Sequence, residues 1–411
     1  MGGLTRVRWA LAAAMVCSLL ACRERAQAVQ SEAALREMVR GMMPIVAEAS
    51  RLSFRREPVV LRRSRDQVRD YVTHKFDQEL PAAELEGVQA ALRLFGLVPD
   101  TLELRPTLID LLTEQIAGFY EPDSGALYVA GDVEGFRARI VISHELVHAL
   151  QDQYIALDSI LLQKQRNDRR SAAHAVLEGQ ATLVQIPAMM PEQKPETLPP
   201  GFFWSTRSAM AQQQAQMEEF ARAPLWLRET LIFPYLAGAD FVVWMYRHEP
   251  DRPLLESMPA STEQILHPDR FAAGDAPTQL AFATPPPDTV LWEDGLGEFE
   301  TRLLLQQHLG DEGEAARLAT GWDGDRYQVL GREAGALVWY SVWDDAVAAD
   351  RFARGLKGAW ARRTAGRPDA RTPRSSEISR LEIDGRPFVR LVDALSDWSG
   401  WRQLPTVRIQ P

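Results

Sequence analysis

Five consecutive residues, His144-Glu145-Leu146-Val147-His148, combine side chains that could carry out metal-assisted chemistry. On an α-helix, residues four positions apart lie on the same face, so His144 and His148 could share one metal ion. Glu145 would stand beside that ion without binding it, where its carboxylate could take a proton from an activated water. The spacing therefore predicts a hydrolytic zinc site.

The residues around this pentapeptide favour a buried helix. Glu145 is the only acidic or basic residue (Asp, Glu, Lys or Arg) between Ile140 and Leu150. A solvated helix would carry charged side chains at several of these positions. The alternative interpretation is a core helix whose two histidines are merely hydrogen-bonded.

A catalytic zinc site needs a third protein ligand, and the chain offers a glutamate. The version of the motif with a third histidine has Gly and His three and six residues after the second histidine. Gln151 and Tyr154 occupy those positions, which excludes that version. Glu178 lies in an alanine-rich, helix-like run, residues 171–182, thin enough to pack closely on the first helix. A carboxylate in such an apolar setting needs a partner, although a helix-surface glutamate is the alternative.

Four phrases of the sequence carry a resemblance to a known family. They are Gly118-Phe119-Tyr120-Glu121-Pro122 and the segments 144–153, 175–182 and 261–268. With them the chain resembles the gluzincin branch of the zincin metallopeptidases, and more narrowly a group of bacterial exported proteins. The likeness runs from about residue 60 to about residue 360 but is dense only in these phrases.

The resemblance implies a mechanism and a ligand set. His144, His148 and Glu178 would bind one Zn²⁺, and Glu145 would be the general base in the hydrolysis of a peptide or protein substrate. The interval between His148 and Glu178 is longer than in thermolysin-like enzymes. The fold therefore need not be that of thermolysin.

Two further residues are candidates for the group that stabilises the oxyanion formed during hydrolysis. His267 lies in a loop or short helix stopped by Pro268, and Tyr235 precedes a helical run that begins at Leu236. For each the alternative is structural: a loop histidine or a packed tyrosine.

Three further polar residues lie on or near the two predicted helices. Asp152, four residues after His148, would orient a ligand imidazole, or else cap the end of the helix. His174 lies one turn before Glu178, and we expect a hydrogen-bonded histidine there rather than a ligand. Asp168 is expected to be a negative charge at the start of the Glu178 helix.

The N-terminus predicts export. Arg6 and Arg8 precede an apolar run, residues 9–21, that is too short to cross a bilayer and is typical of a signal peptide. The run ends in Leu19-Leu20-Ala21-Cys22, which looks like a lipoprotein cleavage site, so Cys22 would carry lipid. Cleavage after Ala28 is the alternative, disfavoured by the charges at residues 23–25.

Such a protein would be lipid-anchored on the extracytoplasmic side of a bacterial envelope membrane, inner or outer. The chain has 2 cysteines, and the other one, Cys17, would leave with the signal peptide, so no disulfide is expected. With 46 Lys and Arg against 56 Asp and Glu and no long basic run, nucleic acid is not an expected partner.

The pattern along the chain predicts an α+β protein with five regions. These are a signal peptide (1–21), an N-terminal helical region (22–106), a mostly helical zincin-like catalytic domain with a small sheet (107–272), a proline-rich linker (273–288) and an α+β accessory domain (289–411). Residues 31–110 could be a permanent subdomain or a propeptide. The strand at Ala126–Ala130 is a candidate to hold an extended substrate, or else part of an ordinary hairpin.

The sequence thus leads to two functions. The first is a membrane-anchored zinc peptidase. The second is a lipoprotein that keeps the zincin scaffold but binds or assembles envelope proteins without hydrolysis. The presence of Glu145 favours the first, because a protein that only binds would have no need of it.

Overall fold

In the computed structural model, which describes residues 32–157, 166–331, 335–365 and 373–410, the chain forms a mostly helical α+β fold. Its N-terminal part consists of α1 (Glu32–Ser50), β1 (Val59–Arg63), α2 (Arg65–Glu79), α3 (Ala82–Phe95), α4 (Leu104–Gln115), β2 (Gly118–Glu121) and β3 (Ala126–Ala130). The predicted signal peptide and Cys22 lie outside the described residues.

The middle of the chain is helical. It consists of α5 (Gly135–Gln151), α6 (Asn167–Met189), α7 (Phe202–Ser205), α8 (Arg207–Gln214), α9 (Glu218–Arg222), α10 (Leu225–His248), α11 (Thr262–Leu266) and α12 (Pro268–Ala273). No helix among the described residues is both long enough and apolar enough to cross a membrane.

The C-terminal part is built around a sheet. It consists of β4 (Leu280–Phe282), β5 (Val290–Asp294), α13 (Gly297–Leu309), α14 (Glu312–Ala319), β6 (Trp322–Leu330), β7 (Ala336–Trp343), α15 (Ala346–Ala365), β8 (Arg374–Ile383), β9 (Arg386–Leu395) and β10 (Val407–Ile409).

Local signals in the sequence explain the ends of the early helices. Ser64 caps α2 in a reciprocal capping box with Gln67, and α3 ends at Gly96, which adopts a left-handed conformation with φ 71°. The spacing of apolar residues in the sequence predicts helices at about residues 31–51, 66–79, 82–95 and 107–116, and the structure confirms all four to within one turn.

A three-stranded sheet in the order β1-β3-β2 lies directly before α5 in the chain. Strand β3 is parallel to β1 and antiparallel to β2, with Val59 beside Ala126 and Gly118 beside Val129. The prediction that β3 holds a substrate is wrong, because a central strand has no free edge. Strand β2, which forms a hairpin with β3, lies at an edge of this sheet.

Helices α6 and α10 pack with their backbones in contact. A Cβ atom at Gly238 would lie 1.9 Å from the carbonyl oxygen of Ala175, and one at Gly179 would lie 2.1 Å from the carbonyl carbon of Gly238. The alanines of α6 were predicted to let it pack closely on the helix of the histidine motif, α5. They also allow an even closer contact between α6 and α10. Helix α10 also continues through Pro234, where the sequence had predicted a break.

The C-terminal sheet has the order β5-β6-β7-β9-β8, with every neighbouring pair antiparallel. Asp384 and Gly385 both have positive φ angles, 51° and 75°, as a two-residue type I′ hairpin requires. The segment expected to be a linker, 273–288, contains β4, which pairs with β10 near the end of the chain.

The core continues from the N-terminal helices into this sheet. The ring of Phe95 on α3 meets those of Tyr327 and Trp339 edge-on, at centroid distances of 5.1 and 5.5 Å. Trp339, Trp343 and Trp360 are among the largest fully buried side chains. The C-terminal tryptophans therefore belong mainly to an aromatic core. The predicted domain boundary at residue 289 marks the start of the C-terminal sheet, but the core is continuous across it.

Candidate metal centre

Helices α5 and α6 bring His144, His148 and Glu178 together. Nε2 of His144 lies 3.2 Å from Oε2 of Glu178 and 3.2 Å from Nε2 of His148. Nε2 of His148 lies 3.5 Å from the same Glu178 oxygen. All three side chains are buried, each at most 1% exposed. Among the described residues, this is the one set of three or more possible ligands close enough to hold a metal ion. We call these three residues the metal group.

The charges of this group are strongly coupled. Burial alone would raise the pKa of Glu178, but His148, His144 and His174 hold it well below its usual range. Burial lowers the pKa of His144, whereas the Glu178 carboxylate raises that of His148 against the effect of burial. The neighbouring histidines therefore favour the charged form of the Glu178 carboxylate.

Glu145 lies on α5 with His144 and His148 but takes no part in the contacts among His144, His148 and Glu178. Burial raises its pKa to about 8, against the opposing influence of His148 and of the Tyr120 backbone amide. Neither carboxylate oxygen makes a hydrogen bond of good geometry with the described residues. Strand β2 lies against it: a Cβ atom at Gly118 would be 3.8 Å from Cγ of Glu145.

Tyr235 is brought to the metal group by α10. Its ring lies roughly parallel to that of His144, with centroids 6.1 Å apart and planes inclined by 26°. The side chain is buried, 1% exposed. The sequence-based choice of Tyr235 as a residue near the site thus has a geometric basis, and its role stays a prediction.

His267 is engaged elsewhere. It ends α11, where Arg302 donates a hydrogen bond to its Nε2 and Oε1 of Glu298 lies 3.1 Å from the same nitrogen. Glu298 is fully buried and therefore needs a cationic neighbour, which Arg302 provides. This pairing on α13 gives no support to His267 as the oxyanion donor.

The residue beside the His148 imidazole is Gln151, not Asp152. Oε1 of Gln151 lies 2.9 Å from Nδ1 of His148. Helix α5 ends at Gln151, and Asp152 instead accepts a hydrogen bond from the Tyr120 hydroxyl at 2.8 Å and pairs with Arg56. The prediction that Asp152 orients a ligand histidine is therefore corrected to Gln151, which the spacing from His148 could have suggested.

His174 and Asp168 lie on α6, outside the set of three possible metal ligands. Nε2 of His174 lies 3.2 Å from Oε1 of Glu178, the oxygen opposite the one that faces the two ligand histidines. Asp168 is in the first turn of α6 and accepts a hydrogen bond from the Thr262 backbone amide at 3.0 Å. His174 thus lies at ion-pair distance from Glu178, and Asp168 joins α6 to α11.

Comparison with known proteins bears only on the C-terminal part. Residues 289–394 match a family described as a domain of unknown function, DUF8575, which covers the sheet from β5 to β9 and not the metal group. No curated protein and no solved structure matches the chain. The case for a function therefore rests on the geometry around His144, His148 and Glu178.

Proposed function

We propose that this protein is a zinc-dependent peptidase of the gluzincin type. His144, His148 and Glu178 would bind one Zn²⁺, and Glu145 would act as general base. The observation that carries the proposal is the mutual spacing of the three donor atoms, 3.2, 3.2 and 3.5 Å.

That spacing fits a tetrahedral ion. Zinc bonds of about 2.0–2.2 Å to nitrogen and oxygen place neighbouring donors of a tetrahedron about 3.4 Å apart. An ion pair between Glu178 and the two histidines would need only the two contacts between histidine and carboxylate, and not the close approach of the two histidine nitrogens. Here two imidazole nitrogens converge on one carboxylate oxygen and on each other, which leaves a common point for an ion.

Zinc held by these ligands would polarise a substrate carbonyl and acidify water towards a pKa of about 7. Glu145 would accept the proton of the attacking water and return it to the departing amine. Within the described part of the chain, its oxygens make no hydrogen bond of good geometry that proton transfer would have to break. Tyr235, stacked beside His144, is the remaining candidate to stabilise the oxyanion.

The edge strand β2 supports a peptide as the substrate. Within its sheet β2 pairs with β3 only, and its Gly118 and Tyr120 lie against Glu145. An extended peptide could add to such an edge through backbone hydrogen bonds, with its carbonyl near the catalytic base. We propose β2 for this role in place of β3.

The proposed location depends on the sequence alone. The apolar run before Cys22 predicts a lipid anchor on the extracytoplasmic side of an envelope membrane. The proposed enzyme would then act on exported or envelope proteins.

The second candidate is a zincin scaffold that binds or assembles envelope proteins without hydrolysis. The deep burial of the metal group favours it, because structural zinc sites are closed whereas catalytic sites keep an open position. Glu145 favours catalysis, since a buried acid that makes no hydrogen bond of good geometry with the described residues lowers stability and needs a functional reason.

The decisive experiment uses the chain without residues 1–21, with zinc content measured by mass spectrometry and cleavage measured on casein. We expect one zinc per chain in the wild type. Glu145→Gln should stay folded and zinc-bound but lose about 10²–10⁴-fold in kcat/KM. Glu178→Ala should lose the metal.

Glu263→Gln, which removes a buried carboxylate on α11 outside the metal group, is the control and should keep both zinc and activity. If Glu145→Gln cleaves casein as fast as the wild type, the mechanism is wrong. A wild type that binds zinc but cleaves neither casein nor unfolded envelope proteins would favour the scaffold.

A further inference from the structure

The Gln151 side chain connects a proposed zinc ligand to the neighbouring helix. Its Oε1 lies 2.9 Å from Nδ1 of His148, and its Nε2 donates to the backbone oxygen of Leu177 at 3.0 Å and to Oε1 of Gln180 at 2.9 Å. Gln151 is completely buried. Every polar atom of this amide therefore has a protein partner.

These partners fix the direction of each hydrogen bond. A backbone carbonyl can only accept, so the Gln151 atom facing Leu177 must be the NH₂ group. The atom facing His148 is then the carbonyl oxygen, which can only accept. Nδ1 of His148 must carry a proton, and in the neutral imidazole Nε2 keeps the lone pair that a metal ion requires.

The chain of hydrogen bonds continues to two more helices. Nε2 of Gln180 donates to the Tyr246 hydroxyl on α10 at 3.1 Å and to the backbone oxygen of Ser50 on α1 at 3.3 Å. Because Gln180 also faces an obligatory acceptor, its own oxygen must point towards Gln151. Residues on α1, α6 and α10 thus prevent the Gln151 amide from flipping.

We propose that Gln151 is a positioning residue for His148. Its amide holds the imidazole in the tautomer protonated at Nδ1 and directs Nε2 towards Glu178 and His144. This inference rests on the proposed zinc site. A carboxylate would not replace the amide, because it could accept from His148 but could not donate to Leu177 or Gln180.

The test is zinc affinity, measured by competition with a chromophoric chelator on the chain without residues 1–21. We expect Gln151→Leu to weaken zinc binding about 10–100-fold, as loss of a group that orients a metal ligand typically does. Gln151→Glu should also bind zinc more weakly than the wild type. The absorption spectrum of the Co²⁺-loaded protein should change in both variants, because His148 is no longer held in place.

Gln185→Leu is the matched control. Gln185 is a buried glutamine of α6 whose amide nitrogen donates to a backbone oxygen of α5, that of Ile140 at 3.2 Å, and not to a proposed ligand. It should keep wild-type zinc affinity. If Gln151→Leu does not fold by circular dichroism, Gln180→Leu tests the same chain of hydrogen bonds and should give a smaller loss.

The outcomes separate this inference from the proposed function. Equal zinc affinity in Gln151→Leu and the wild type, or an equal loss in Gln185→Leu, would overturn the positioning role alone. A wild type that binds no zinc would overturn both. A wild type that binds zinc without cleaving peptides, together with weaker binding in Gln151→Leu, would refute the peptidase and support the role of Gln151.

Discussion

Two glutamates of this protein have similar burial and opposite electrostatics. Glu178 is surrounded by three histidines, which hold its pKa well below the usual range despite burial. Among the described residues Glu145 has no comparable partner, and burial raises its pKa to about 8. The difference in their surroundings is what suits Glu178 to the proposed role of ligand and Glu145 to the proposed role of base, and the histidines around Glu178 come from two helices, α5 and α6.

Asp168 gives a prediction about pH. Burial raises its pKa to about 8 from an ordinary value of 3.8. The folded state then holds a proton that the unfolded state releases, so this group's contribution to stability is present below about pH 4 and is lost as the pH rises towards 8. Asp168→Asn cannot ionise. Its free energy of unfolding in urea should therefore fall less between pH 5 and pH 8 than that of the wild type.

Asp269→Asn is the control for this measurement, because Asp269 is exposed on α12 and should leave the pH dependence unchanged. Identical pH dependence in Asp168→Asn and the wild type would show that the carboxyl is not protonated in the folded protein.

At the scale of elements, the contact between α6 and α10 determines where Glu178 lies. Gly179, the next residue along α6, is at the point of closest approach to Gly238. A methyl group at either glycine would have to displace backbone rather than a flexible side chain. The position of the third proposed ligand thus depends on the absence of side chains on both helices.

Gly238→Ala should therefore act on both stability and metal binding. We expect a loss of about 1–3 kcal/mol or more in the free energy of unfolding, because overpacking must move a helix. Zinc affinity should fall as Glu178 shifts. Chemical denaturation and chelator competition measure the two effects.

Gly358→Ala, at an exposed position of α15 with no atom within 4 Å of the added methyl group, should be neutral or stabilising. Wild-type stability in Gly238→Ala would contradict the close contact.

Helix α1 belongs to the same packing unit as the metal group. Its residues Leu35, Val39 and Val46 are at most 1% exposed, and the backbone oxygen of Ser50 accepts a hydrogen bond from Gln180. Strand β1, which follows, pairs with β3 in the sheet before α5. This packing favours a permanent subdomain over a removable propeptide for the N-terminal region.

At the scale of the whole molecule, the C-terminal sheet and the N-terminal helices share one core. Besides the aromatic contacts of Phe95, the Arg363 guanidinium on α15 donates a hydrogen bond to the backbone oxygen of Leu94 on α3. The part of the chain that matches DUF8575 is therefore packed against the region that precedes α5, the helix that carries His144 and His148.

Phe95→Ala should destabilise both regions together. Removing a fully buried phenylalanine typically costs about 3–5 kcal/mol. Tryptophan fluorescence, which reports mainly on the C-terminal core, and zinc release should shift to lower denaturant by similar amounts. Val347→Ala, at a side chain 69% exposed, should shift neither. A fluorescence shift without a change in zinc release would indicate two independent domains.

The sequence by itself determined the local features of this protein. Hydrophobic periodicity predicted most helices, and the spacing of His144 and His148, together with the apolar setting of Glu178, predicted a group that the structure brings together. These features depend on residues a few positions apart, or on one side chain's need for a partner, and so can be read along the chain.

Only the tertiary structure decided the relations between distant residues. It placed His267 with Glu298, made β3 a central strand, kept α10 continuous through Pro234, and set Gln151 rather than Asp152 beside His148. Each outcome depends on which surface another element presents, and helix packing, strand order and buried charge are settled only when the whole chain folds.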